Sequence, residues 1–357
     1  VKHMPTPPRT QDLSEGALGM ALLHIERGDL AAARNRLTQA VAGGVSAGSN
    51  ASLFHGAPAL EFVLSRAGHA GRDVRDAVDR IVDARLTAAR RRQASGALPH
   101  LAECDLIRGL TGLGALLLTR GTASPLLEEV LAYLVSLSRP VHIDGRALPG
   151  WWSTAGPADE EVNGGHGNNG VAHGIAGPLA LLSLAVRHGA RVPGQGDAIG
   201  VFSRWLDRYG CRYWITRDQL AAPEPPEPAP ARPSWCYGEL GIARAQQLAA
   251  LAQGDPARRL AAEDTVVRTL SDPARLGRIT DASLCHGWAG LLTVARAVAA
   301  DSTTQDRFRP CIEDLKKRLV TDHDQLSKPG FMEGRAGAHL ALAGTDVTGW
   351  TRALLIT

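Results

Sequence analysis

The chain has 357 residues, a net charge of only +3 and five cysteines, a profile that argues against a nucleic-acid-binding surface and against a dense disulfide scaffold. Its longest apolar stretches fall short of the roughly 20 residues that span a bilayer, and the N-terminus lacks a signal-peptide pattern, so a soluble, cytoplasmic protein is expected. Aromatic residues make up 4% of the chain and β-branched residues form no runs, which predicts an all-α protein with few strands.

In chain order, Val1-Lys2-His3-Met4 are set aside as an expression remnant, and residues 5–357 are read as one domain. A short apolar phrase with small residues three apart then recurs seven times. The copies are LSEGALGMALL from Leu13, LFHGAPALEFVL from Leu53, LIRGLTGLGALLL from Leu106, VAHGIAGPLALL from Val171, WCYGELGIARA from Trp235, LCHGWAGLLTVA from Leu284 and FMEGRAGAHLAL from Phe331. Their first glycines are Gly16, Gly56, Gly109, Gly174, Gly238, Gly287 and Gly334, at intervals of 40, 53, 65, 64, 49 and 47 residues. Each interval accommodates two helices and two loops.

In most copies the phrase runs into an apolar segment of helical spacing, such as Leu179, Leu182 and Val186, and so predicts a helix start. The second copy, with Ala59 where other copies have the second glycine and Pro58 before it, is expected to enter its helix differently. Between copies lie more polar amphipathic stretches, Val74 to Arg92 and Asp306 to Leu326, suited to outer helices covering an inner layer. The first of these contains the short basic run Arg90, Arg91, Arg92. Asp218 to Pro233, rich in Pro, Ala and Glu, is expected to be a loop. Periodicity does not choose between an open solenoid and a closed ring; in a ring, residues just ahead of the first glycines would converge on one rim.

That register is where chemistry concentrates. Two positions before the first glycine stand Cys236 and Cys285, and one position before it stand His55, His173 and His286. Two thiolates and one imidazole form an established three-ligand zinc set that leaves a fourth position for water or substrate. Cys236, Cys285 and His286 are therefore candidate metal ligands. Cys104, Cys211 and Cys311 share no such register and read as small hydrophobic residues.

WCYGELG, LCHGWAG, GVAHGIAG and FMEGRAG resemble the signature phrases of the LanC-like family, the lanthionine synthetase C-like lanthipeptide cyclases, and the resemblance covers nearly the whole chain. WCYG and CHG in this order are specific, whereas each GxxG alone is weak. The resemblance implies an α/α toroid of seven inner and seven outer helices and one Zn2+ per chain held by Cys236, Cys285 and His286. It implies that His173 is the general acid/base beside the metal, that Asp105 assists it, and that Arg232 and Tyr237 line the substrate pocket. Alone, His173 and Tyr237 could be core residues, Asp105 a helix N-cap and Arg232 a solvated surface residue. Leu240 replaces the proline that often follows WCYG in the family, which is expected to alter only the helix start. The intervals of 40 and 53 leave little room for the small extra domain of some relatives.

The implied reaction adds peptide cysteine thiols to dehydroalanine or dehydrobutyrine, forming thioether rings. The partners would be a dehydrated precursor peptide (leader plus core), a separate dehydratase and an exporter. The chain is too short to carry its own dehydratase and reads as a stand-alone cyclase or as the cyclase part of a larger synthetase. Two alternatives stay open: a zinc- and thiol-binding adaptor that holds a ligand such as glutathione without catalysis, and another toroid enzyme, a glycosidase or prenyl-transfer protein. The second leaves the paired cysteine register unexplained.

Overall fold

The computed structural model describes residues 10–228 and 231–357; the remnant assigned to Val1–Met4 lies outside the described residues. All seven phrases start helices: Ala17–Glu26, Ala57–Arg66, Leu110–Arg120, Ala176–Arg187, Glu239–Gln253, Trp288–Ala300 and Arg335–Ala343. We call these the phrase helices. In six of them the first glycine is the N-cap; in the fourth, Ile175 intervenes. Leu240 leaves the fifth start unshifted, directly after Gly238. The second differs as expected: Gly56 has φ +72°, whereas the other five glycine N-caps are extended.

The phrase helices pack in chain order, each against the next, and the seventh packs against the first. Burial explains their composition: Ala176 to Val186 is buried without interruption, as a helix covered on all sides must be. The second glycines allow this closeness. A Cβ at Gly241 would overlap the Trp235 carbonyl, and the same overlap with the carbonyl six residues back recurs at Gly19, Gly112, Gly177, Gly290 and Gly337.

Covering helices follow six of the phrase helices: Leu30–Val41, Arg72–Ala94, Pro125–Ser136, Gln195–Tyr209, Pro256–Leu270 and Arg309–Asp322. Each packs on the phrase helix before it. The long one, Arg72–Ala94, buries only Val78, Ile81, Val82, Leu86 and Ala89, a single stripe of helical period. After the seventh phrase helix the described residues carry a 3-10 turn, Trp350–Leu354, in place of a long helix. Glu26 holds the Val347 and Thr348 amides at 2.9 Å, and the Thr348 carbonyl accepts from Arg66 Nη1 at 3.0 Å. Arg244 Nε reaches the Ile356 carbonyl at 2.9 Å, so this segment crosses between the first, second and fifth repeats.

Strands are few, as composition predicts. Val141–Ile143 pairs with Arg146–Leu148, and Ser153–Ala155, Glu161–Asn168 and Trp214–Thr216 form an antiparallel sheet with Glu161–Asn168 in the middle. Asn168 pairs with Trp214. The expected loop Asp218–Pro233 begins as a helix, Arg217–Ala221, because Thr216 and Gln219 form a reciprocal capping box. Residues 229–230 of that loop lie outside the description. Among the described residues no helix is long and apolar enough to cross a membrane.

Candidate metal centre

The residues two positions ahead of the first glycines are joined by backbone hydrogen bonds. Cys236 donates to the Cys285 carbonyl (3.2 Å), Cys285 to Met332 (3.0 Å), Met332 to Ser14 (2.9 Å), and Ala172 to Cys236 (3.2 Å). Leu106 donates to Ala172 (3.1 Å) and Leu13 to Phe54 (2.8 Å). These bonds carry neighbouring phrases side by side around a girdle. Cys236 and Cys285, 49 residues apart in sequence, become adjacent because one donates its amide to the other.

Residues one position ahead of the glycines keep contact with solvent in every repeat: Glu15, His55, Arg108, His173, Tyr237, His286 and Glu333 are exposed or half-buried. Cys236, by contrast, is buried and Cys285 half-buried. One ligand atom each from Cys236, Cys285 and His286 lies within 4.8 Å of the other two, so the three sequence candidates come together as a cluster. The Cys285 thiol donates to Cys236, and with His286 and Ser234 it holds the Cys236 sulfur well below the usual thiol range despite burial. That bond and burial push Cys285 the other way. Two sulfurs and an imidazole are a soft donor set that suits zinc and leaves one coordination position free.

His286 is oriented by a residue that motif reading overlooks. Its Nε2 lies 2.9 Å from Asp281 Oδ2, while Asp281 Oδ1 accepts the Ser283 amide at 2.7 Å. The Asp281 hydrogen bond and the Cys236 sulfur push the imidazole pKa up to about 9. Burial of Asp281 is outweighed by bonds from His286 and Ser283, which hold its carboxyl down to about 2. With Nε2 engaged by the carboxylate, Nδ1 is the nitrogen left to face the sulfurs. A faint sequence signal exists: Asp12 and Asp105 also stand shortly before their phrases, and Asp12 likewise accepts a backbone amide, that of Ser14, at 2.7 Å.

The candidate acid/base group forms a second cluster. His173 Nδ1 lies 2.7 Å from Asp105 Oδ2, and the fully buried Asp105 spends its other oxygen on the Arg108 amide, also at 2.7 Å. Asp105 follows the short helix Leu101–Cys104 as its C-cap, so the N-cap alternative does not describe it. Tyr237 joins the two clusters: it follows Cys236 in sequence, and its ring stacks on His173 with centroids 6.1 Å apart. Its hydroxyl accepts from Asn168 Nδ2 at 3.2 Å. Arg232 reaches this neighbourhood through its backbone amide, which donates to the Tyr213 hydroxyl at 3.2 Å; the Tyr213 ring tilts against Tyr237 at 5.2 Å. Cys104 lies buried in the core, and Cys211 and Cys311 are half-buried away from the cluster.

Comparisons with known proteins extend over nearly the whole chain. The family model described as lanthionine synthetase C-like protein matches residues 7–350. In structure the chain is similar to a solved chain titled nisin cyclase, with a TM-score of 0.82 and 20% sequence identity, over 98% of this chain and 93% of that one. No curated protein matches it in sequence.

Proposed function

Because the chain belongs to the lanthionine synthetase C-like family, we propose that it is a zinc-dependent lanthipeptide cyclase, a single α/α toroid domain that closes thioether rings in a dehydrated peptide. The observation that carries this reading is the convergence of Cys236, Cys285 and His286 in one girdle with the bonded pair His173 and Asp105. The peptide, leader plus core, would come from a separate dehydratase in the cytoplasm and pass on to an exporter.

Bound to Cys236, Cys285 and His286, one zinc ion per chain would supply the charge that ionises an incoming thiol, which at its free pKa of about 8.5 is mostly protonated at neutral pH. In the addition, the substrate sulfur bonds to the β-carbon of the dehydro residue, the C=C electron pair moves toward the carbonyl oxygen, and an enolate forms. His173 delivers a proton to the α-carbon and is recharged by the proton that a substrate thiol gives up, so the sum is isomerisation without loss of mass. Asp105 holds His173 through Nδ1, leaving Nε2 as the atom that exchanges the proton. Arg232 and Tyr237 are assigned to the substrate: the first to position peptide, the second to face the reacting carbonyl.

The test is incubation of the zinc-loaded protein with a peptide carrying one cysteine and one dehydroalanine. Loss of the alkylatable thiol at unchanged mass is the expected result. A peptide that binds and keeps its free thiol would replace catalysis by the adaptor reading.

A further inference from the structure

Asn168 ends the strand Glu161–Asn168 and is fully buried, with both ends of its side-chain amide engaged. The Gly170 backbone amide lies 3.1 Å from Oδ1. A backbone N–H can only donate, so the atom it meets is the amide oxygen, and the NH2 group is thereby turned to the opposite side. There Nδ2 meets the Tyr237 hydroxyl at 3.2 Å and His166 Nε2 at 3.4 Å. His166 is buried, which pulls its pKa down, and because an amide NH2 can only donate, His166 Nε2 is the acceptor of this contact. The amide thus spends one N–H on a histidine and the other on the phenol.

A phenol that accepts from an amide still has its own proton to donate, and accepting strengthens that donation. Among the described residues the Tyr237 hydroxyl makes no other hydrogen bond. The ring stacks on His173 and follows Cys236 directly, and it is half-buried where Asn168 is sealed off. The O–H is therefore free to donate to a partner other than Asn168.

We infer that Asn168 is a positioning residue whose amide fixes the Tyr237 hydroxyl as an acceptor on the protein side, so that the phenol presents its proton to the enolate oxygen formed during ring closure. This rests on the cyclase reading for its catalytic consequence, though not for the hydrogen-bond polarity itself. Replacing the amide by a carboxylate of the same shape reverses that polarity: the phenol then donates to the carboxylate and turns its proton away from the substrate.

The experiment compares Asn168→Asp, Tyr237→Phe and the double variant. Each single variant should lose about 100-fold in kcat, the scale for removing one preorganised donor to an oxyanion. KM and zinc content should stay near wild type. The double variant should be no slower than Tyr237→Phe, because Asn168 acts through the hydroxyl that variant lacks. Multiplying losses would mean a general structural role and would overturn the inference. If Asn168→Asp does not fold, Asn168→Ala takes its place, expected to slow the wild-type background about 10-fold and the Tyr237→Phe background not at all. Independently of turnover, ring-Cζ 13C labelling of the four tyrosines should show the Tyr237 resonance moving in Asn168→Asp. An unmoved resonance overturns the polarity, and a wild type without cyclisation sinks the cyclase reading instead.

Discussion

Two arcs of the same girdle are joined by the same kind of backbone hydrogen bond and carry different side chains. On the arc of repeats four to six, the two positions ahead of the first glycine hold Ala172 and His173, Cys236 and Tyr237, Cys285 and His286. Across repeats seven, one and two they hold Met332 and Glu333, Ser14 and Glu15, Phe54 and His55. The hydrogen bonds from Cys236 to Cys285, Cys285 to Met332 and Met332 to Ser14 run on from one arc into the other. The scaffold therefore treats the arcs alike, and the chemistry resides in which side chains occupy two register positions.

The comparison breaks first if metal binding does not follow the cysteines. Cys236→Ala with Cys285→Ala should remove zinc altogether, since one imidazole cannot hold an ion that two thiolates and an imidazole hold. Metal analysis of the purified protein checks this against a Ser14→Ala, Met332→Ala control at the same register, expected to keep one zinc per chain. Metal retained in the first variant would place the site elsewhere.

A smaller effect separates catalysis from metal binding within the active arc. His173→Asn should lower the cyclisation rate by about 10²–10⁴, the usual contribution of a positioned acid/base group, with zinc stoichiometry unchanged. Single-turnover rates on dehydrated peptide and metal content in the same sample decide it. Zinc loss in His173→Asn would make this histidine a ligand.

Below that comes the orientation of a ligand. Asp281→Asn keeps the size of the side chain and weakens its grip on His286 Nε2, now 2.9 Å away. Zinc affinity measured by competition with a chromogenic chelator should fall about 10–100-fold, the range for losing a carboxylate behind a metal-bound histidine. An unchanged affinity would show that the cluster holds its metal without Asp281.

What the residues reveal in advance follows the same division. Seven helix starts are legible because six of them need a glycine pair for close packing, and the recurring clash that a Cβ at Gly241 would make with the Trp235 carbonyl leaves a mark at a fixed spacing from which the second copy departs only at Ala59. The metal cluster is legible because register in a closed repeat is position in space. The strand Glu161–Asn168 is not: EVNGGHGN has almost no strand-forming residues, and it is held between the neighbouring strand of Ser153 and the distant strand of Trp214. Asn168 and Asp281 stay hidden for a related reason. Their partners, Tyr237 and His286, are 69 and five residues away, and neither belongs to a repeated position. The closing 3-10 turn Trp350–Leu354 is equally unforeseen, because Glu26 and Arg66, which anchor the chain ahead of it, lie more than 280 residues earlier.

The smallest effect probes the quiet arc itself. Lys328 Nζ bridges Glu333 at 2.5 Å and Glu15 at 3.1 Å, with about half of its side chain exposed. Exposed ion pairs contribute about 0–1 kcal/mol and are screened by salt, so Lys328→Ala should shift thermal stability by no more than that, and less at high ionic strength. The variant also leaves the Glu333 charge uncompensated, and Glu333 is among the groups that raise the Cys285 pKa. Solvent beside a half-exposed carboxylate damps that influence, so zinc affinity should change by less than about 3-fold. A larger change, read in the chelator assay used for Asp281→Asn, would mean that the two arcs are electrostatically coupled and that the acidic residues of repeats seven and one help set the charge of the metal site.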